Sequence, residues 1–230
     1  MEVVQSHDAE LCLRIQLRDA HMLGVRRDTN PPPLRDAEVV GLEDVRLYDD
    51  AFTATQKQWT PEGSDNLRVV GTLGGPFAVI KSPDRKCEKN WLPLPDGRLI
   101  YKWKPLVVAG TKDNELVVHE EHDSTPPWWV YMRGSTPPFR VAGRWIAVAH
   151  IVAPAAPRQY FSVLVELEEP AWKPVACSLP FYFLDIGVEY CLSAQAFEGD
   201  IHFFVSKNDR ETYVVVASAD SVLAALTIKT

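Results

Sequence analysis

The chain has 230 residues, 46% hydrophobic and 24% charged, with a formal net charge of −7. Apolar side chains on that scale can fill a real core, and the acidic balance argues against a broad nucleic-acid surface, which needs concentrated Lys and Arg. Eighteen prolines against twelve glycines sit between apolar runs, a pattern suited to short strands and stiff loops rather than long helices.

The opening MEVVQSHDAE is acidic and lacks the basic start and apolar stretch of a signal peptide. No apolar run approaches the roughly 18 residues that a spanning helix needs. The expectation is a cytoplasmic protein with neither a membrane nor a nucleic-acid partner. Cys12, Cys87, Cys177 and Cys191 show no CxxC or zinc-ligand spacing and read as buried thiols. Neither a metal nor a cofactor is expected.

In chain order, Glu10 to Leu17 reads as a strand and the stretch Asp28 to Pro33 as a loop. Four polar clusters follow, each leading into a turn and an apolar run. The first is Gly41-Leu42-Glu43-Asp44-Val45-Arg46-Leu47-Tyr48, then Asp49-Asp50 and Ala51 to Ala54. The second is Glu88-Lys89-Asn90-Trp91-Leu92-Pro93-Leu94, then Asp96-Gly97 and Leu99 to Trp103. The third is Arg133-Gly134-Ser135-Thr136-Pro137-Pro138-Phe139-Arg140, then Ala142-Gly143 and Trp145 to Ala149. The fourth is Glu189-Tyr190-Cys191-Leu192-Ser193-Ala194-Gln195, then Glu198-Gly199-Asp200 and Ile201 to Val205. Glu43 to Glu88 and Glu88 to Arg133 are each 45 positions, and Arg133 to Glu189 is 56.

A period in the forties is that of four-stranded propeller blades. The fold expected is therefore an all-β propeller over residues 1–230, a single domain. Four blades are plain, and a fifth could be assembled from Glu10 to Leu17 with Thr212 to Ser218, closing the ring. Asp123 to Pro127 and Ala153 to Pro157 read as loops. Only Ser218 to Leu226 has helix-like capping and composition. Because the inner strand of each blade lines the central channel, polar residues at equivalent blade positions face one cavity.

In a regular strand Asp44 and Arg46 would share one face, with Glu43 and Val45 on the other. The Arg would lower the Asp pKa, which opposes a general-acid role unless burial outweighs it, and an Asp–Arg clamp between blades is the plainer reading. Glu88, Asn90 and Trp91 offer carboxylate, amide and ring, with further rings at Tyr101, Trp103, Trp128, Trp129 and Tyr131. Such rings either stack on sugars or pack blades together. Arg133 with Ser135, and His150, could hold an anion or a diphosphate, with Arg140, Lys102 and Lys104 as further cations. Glu189 and Asp209 stand at the last polar positions, the latter in an Asn208-Asp209 turn. His119-Glu120-Glu121-His122 has the wrong spacing for a zinc helix, and Gly71 to Gly75 is too short for a phosphate loop.

At these motifs the sequence resembles the five-bladed propeller enzymes of glycoside hydrolase family 130, the β-1,2-mannoside phosphorylases and hydrolases, and related β-mannosyltransferases. Gly41 to Arg46 resembles the family's G-x-E-D-P-R segment, with Val45 in place of the proline. Glu88 to Pro93 with Tyr101 to Pro105, Arg133 to Pro137 and Asn208-Asp209 are similar to later-blade signatures. The resemblance spans roughly residues 40 to 215. It implies Asp44 as the general acid of an inverting enzyme, with Arg46 and the Arg133 region near sugar or phosphate. A second carboxylate, Glu88 or Glu189, would serve as base in hydrolysis. The expected function is to make or break a glycosidic bond on a sugar or glycan, with phosphate or a nucleotide sugar as co-substrate. The alternatives are a non-catalytic glycan-binding propeller and a protein-interaction scaffold.

Overall fold

The computed structural model describes residues 2–4, 42–60, 63–73, 77–80, 90–153, 158–208 and 210–230. Among these the strands form four antiparallel sheets. The first blade runs β2 (Leu42–Tyr48), β3 (Ala51–Thr60), β4 (Gly63–Thr72) and β5 (Phe77–Ile80). The second runs β6 (Leu92–Pro93), β7 (Leu99–Trp103), β8 (Leu106–Lys112) and β9 (Glu115–His122). The third contains β10 (Met132–Val141), β11 (Arg144–Ala153), β12 (Gln159–Glu168) and β13 (Lys173–Cys177), with β17 (Ile228–Lys229) on its outer edge. The fourth contains β14 (Glu189–Phe197), β15 (Asp200–Lys207) and β16 (Glu211–Ser218), and its outer strand is β1 (Glu2–Val4) from the far end of the chain.

Within each blade the strands are sequential neighbours, and the first strand of each blade meets the first strands of others: β10 touches β2, β6 and β14. That is the propeller arrangement the repeat implies. The expected fifth blade needs correction at one strand, because Thr212 to Ser218 is the third strand of the fourth blade. Its pairing with β1 does join the two ends of the chain. Glu10 to Leu17 lies outside the described residues.

The turns are where the sequence places them. Ala142 and Gly143 (φ 47° and 82°) and Glu198 and Gly199 (φ 50° and 91°) close two-residue hairpins, whose left-handed backbone matches strand twist. Asp49 and Gly97 also have positive φ at the first two blade turns.

Blades pack through strand alternation. On β11, Ile146 and Val148 face Ile201, Phe203 and Val205 of the fourth blade. Trp145, Ala147 and Ala149, one position out of phase, face Leu92, Ile100 and Val108 of the second. Both faces of β11 are thus buried, which is why it reads as a nearly continuous apolar run. The one described α-helix, α1 (Ala219–Ala224), is capped by the Ser218 side chain, which accepts from the Ser221 N–H at 3.2 Å. No described helix is long and apolar enough to cross a membrane. Cys177 and Cys191 are buried free thiols.

The Asp96 turn ties the second blade to the third. Its carboxylate accepts from Arg98 Nε at 2.9 Å and from the indole N–H of fully buried Trp172 at 2.7 Å. Burial alone would raise the Asp96 pKa, but the bonds from Arg98 and Trp172 outweigh it and hold the carboxyl below its ordinary 3.8. Asp96→Ala orphans a buried donor and is expected to cost about 1–3 kcal/mol in denaturant unfolding. Because the folded-state pKa is depressed, this stabilisation is complete above the ordinary value and is lost as pH falls through the lower folded value. Asp96→Asn should remove that part of the acid limb in thermal melts.

Candidate functional site

The inner strands do not run straight. On β2, Glu43 pairs with Thr55 and Arg46 with Thr53, so Asp44 and Val45 together face one partner residue. This is a β-bulge, and Asp44 within it has φ 55°. The simple alternation expected of Asp44 and Arg46 is therefore broken, because a bulge inserts one residue and re-aims the side chains around it. Register shifts recur on β10 between Gly134 and Thr136 and on β14 between Cys191 and Ser193. Asp44 is half-buried and held in a left-handed conformation uncommon for a non-glycine residue.

Arg46 is 3% exposed. Its Nη1 donates to the neighbouring Val45 carbonyl at 3.1 Å, and its Nε has no hydrogen-bond partner among the described residues. The guanidinium carbon stands 6.0 Å from the Tyr190 ring centroid. His150 lies beside it, 4% exposed, its ring stacked on Tyr160 at 5.7 Å and tilted toward Tyr190 at 6.4 Å. The hydroxyl of Ser135, fully buried, shares a 2.8 Å hydrogen bond with His150 Nδ1. Arg133 pairs directly across the ladder from His150. Burial first, then the charges of Arg46 and Arg133, press the His150 pKa down to about 3.

The result is a buried, neutral imidazole beside the buried Arg46 guanidinium, with the exposed Arg133 across the ladder from it. Such a cluster stabilises an anion and disfavours any further cation. The structure thus brings together Arg46 of the first motif, Arg133 and Ser135 of the third, and His150 from the strand that follows it.

Other expected site residues take different places. Glu189 is 2% exposed, and its carboxylate accepts N–H bonds from Phe183, Leu184 and Asp185. Burial raises its pKa against those bonds. It staples the 183–185 loop rather than presenting an acceptor to a sugar. Trp91 is 2% exposed, edge-on to Tyr101 at 5.4 Å, with both faces enclosed, so it packs blades instead of offering a stacking platform. Its carbonyl receives the Thr53 hydroxyl at 2.6 Å, a link between the first two blades. Asn90, Tyr101, Trp103 and Arg133 line one cavity of about 250 Å³ between the second and third blades. Glu88, Asp209 and the Glu43 side chain lie outside the described residues. Among the decoys, His122 Nε2 lies 3.0 Å from the Ala171 carbonyl oxygen.

Two site residues carried no motif of their own. Tyr190 stood beside Glu189 in the fourth cluster, so its recurrence at a polar blade position was a usable signal. Tyr160 reaches the site only through the register of β11 on β12, where Val152 pairs with it.

A histidine held neutral by burial and neighbouring cations should show no ring protonation by NMR from pH 8 down to pH 5. The unfolded chain protonates near the ordinary 6.5, so stability should fall as pH drops from there toward 3. His150→Gln should flatten that slope. Ser135→Ala, which leaves a buried ring nitrogen unsatisfied, should cost about 1–3 kcal/mol.

No family model matches the chain, and no curated protein matches it in sequence. Solved structures do. The β-1,2-mannobiose phosphorylase of Listeria innocua, solved with β-1,2-mannobiose, superposes with TM-score 0.59 at 15% identity, over 86% of this chain and 65% of that one. A glycosyl hydrolase from Bacteroides ovatus gives TM-score 0.53 at 12% identity, over 77% and 65%. A structure from work on the GH130 mannoside phosphorylases, described as containing hydrolases that target β-1,2 mannosidic linkages in Candida mannan, gives 0.51 at 11%, again over 77% and 65%. The chain thus spans just under two thirds of the length of each of these neighbours. Its fold is the propeller they share.

Proposed function

We propose that the chain cleaves or forms a glycosidic bond with inversion, with phosphate as the attacking or leaving group. The observation that carries this reading is the buried Arg46 guanidinium, beside a neutral His150 whose ladder partner is Arg133, with no carboxylate partner among the described residues. A cation so placed is costly unless an anion arrives to complete it. Phosphate supplies two or more acceptor oxygens in the geometry a guanidinium fork favours.

In this mechanism Asp44, in its acid form, gives a proton to the bridging oxygen, directly or through a sugar hydroxyl. A phosphate oxygen, placed by Arg46 and Arg133, attacks the anomeric carbon from the opposite face. The carbon–oxygen bond to the leaving sugar breaks, and a sugar 1-phosphate of inverted configuration forms. Ser135 holds the His150 ring through Nδ1, so the imidazole meets the anion in a fixed orientation. Hydrolysis would require a carboxylate base to activate water. Glu189, one of the two candidates, is already bonded to three backbone N–H groups, which favours phosphate over water. The mannosidic neighbours make a β-linked mannoside the first substrate to try. Because phosphorolysis draws on inorganic phosphate and returns a sugar phosphate, the proposal extends to a cytoplasmic setting.

The test is incubation of the chain with β-1,2-mannobiose and inorganic phosphate, following sugar 1-phosphate by phosphorus NMR. Product should form, and Asp44→Asn should lower kcat by about 10²–10⁴-fold without changing the melting temperature. Arg46→Lys should raise the KM for phosphate more than that for the sugar. Binding of the disaccharide with no bond broken, in phosphate or in water, would replace the reading with that of a glycan-binding propeller.

A further inference from the structure

A separate cavity, of about 500 Å³, opens beside the later halves of the inner strands of three blades. Its lining comes from Leu47 to Asp49 of the first blade, Thr136 to Arg140 of the third and Ser193 to Gln195 of the fourth, together with Trp145. The same three strands give their earlier residues, Arg46, Arg133 with Ser135, and Tyr190, to the cluster around His150, and no residue belongs to both. The strands are tightly packed between the two levels: Ser135 and Cys191 are fully buried and Thr136 is 1% exposed. The cavity is therefore a second site and not an extension of the first. Its volume lies within the roughly 300–1,000 Å³ of small-molecule pockets, enough for one or two sugar rings.

The lining mixes apolar rings with neutral hydrogen-bonding groups. Tyr48 and Phe139, both half-buried, supply the apolar contact. The hydroxyls of Tyr48 and Ser193 and the amide of Gln195 both donate and accept, and the exposed Asp49 carboxylate accepts. The cation of the cavity is already engaged. Arg140 Nη1 donates to the Gly143 carbonyl at 2.5 Å and Nη2 to the Glu169 carboxylate at 3.1 Å, while the guanidinium carbon lies 3.9 Å from the Trp145 ring centroid. An anionic ligand would have to displace Glu169 and would meet Asp49, so the cavity favours an uncharged one. A wholly apolar ligand would leave the hydroxyls, amide and carboxylate to water.

We infer that this cavity is a second carbohydrate site, which takes one or two rings of an uncharged sugar. The C–H face of a sugar ring suits Tyr48 and Phe139, and its rim of hydroxyls suits groups that donate and accept in alternation. The assignment rests on the cavity's own groups and not on the proposed glycosidic chemistry. A site so placed tethers a glycan without touching the bond that reacts.

The test is an NMR titration of the isotope-labelled intact chain, in phosphate-free buffer, with mannose, glucose and β-1,2-mannobiose up to tens of millimolar. At least one sugar should move the amide signals of Ser193 to Gln195 and of Asp49. Asp49→Asn, which the left-handed backbone there (φ 49°) accommodates, should weaken that binding by about three- to tenfold, the scale of one hydrogen bond to a charged group. Tyr48→Phe should weaken it to a similar extent. Gln195→Trp, a substitution at an exposed position that fills the cavity, should abolish these shifts and leave any shifts around Arg46 and His150 unchanged. Absence of shifts at Ser193 to Gln195 with all three sugars overturns the inference, as does their persistence in Gln195→Trp. Shifts confined to this cavity, with no glycosidic reaction, would sustain the second site and refute the catalytic reading.

Discussion

The constraint on which the site depends is the burial of the Arg46 guanidinium. A charge moved out of water loses several kcal/mol of hydration unless neighbouring groups replace it, and here the replacement is incomplete. One backbone carbonyl accepts from it, a Tyr190 ring stands 6.0 Å away, and Nε is unsatisfied among the described residues. The consequences spread outward. Burial first, and then the Arg46 charge, hold the His150 pKa down to about 3, and the neutral ring is ordered by Ser135 and by stacking on Tyr160. Glu189, next to Tyr190 on the same inner strand, ties that strand to the 183–185 backbone.

The propeller makes that burial possible. Inner strands from separate blades meet without forming one sheet, so their polar groups are shielded by neighbouring blades rather than by ladder partners. Where strands crowd, bulges on β2, β10 and β14 turn side chains away from strict alternation. Gly134 permits the closest of these approaches, against Asn90. Outside this centre the chain is conventionally packed. The two faces of β11 divide between adjacent blades, and the Asp96–Trp172 bond locks a turn to the next blade.

Much of this architecture could be read from the residues. Four motifs, each followed by Asp-Asp, Asp-Gly, Ala-Gly or Glu-Gly and an apolar run, specify hairpins whose turn chemistry is local, so their positions were legible. Thr212 to Ser218 is different: it forms a local hairpin with β15, Lys207 opposite Glu211, that keeps it in the fourth blade, while its outer pairing with β1 comes from the other end of the chain and leaves no mark in the local sequence. In the site, Arg46 of the first blade lies near Arg133, Ser135 and His150 of the third. Trp91 and Glu189 fit the same polar pattern yet are enclosed or stapled, since alternation does not tell a channel-facing position from an inter-blade one. The bulge at Asp44 was hidden for a related reason: an inserted residue leaves no mark in composition.

The central claim is that Arg46 is kept buried for an anion rather than for the fold. Arg46→Met keeps much of the side-chain volume and removes the charge, and replacing a poorly compensated buried charge with an apolar side chain is often neutral or stabilising. The most direct measurement is the melting temperature of both proteins, in phosphate-free buffer and across a phosphate titration. The account expects Arg46→Met to melt at or above the original without phosphate, and only the original to rise as phosphate is added. A variant that melts well below the original without phosphate, or an original that phosphate does not stabilise, would contradict it.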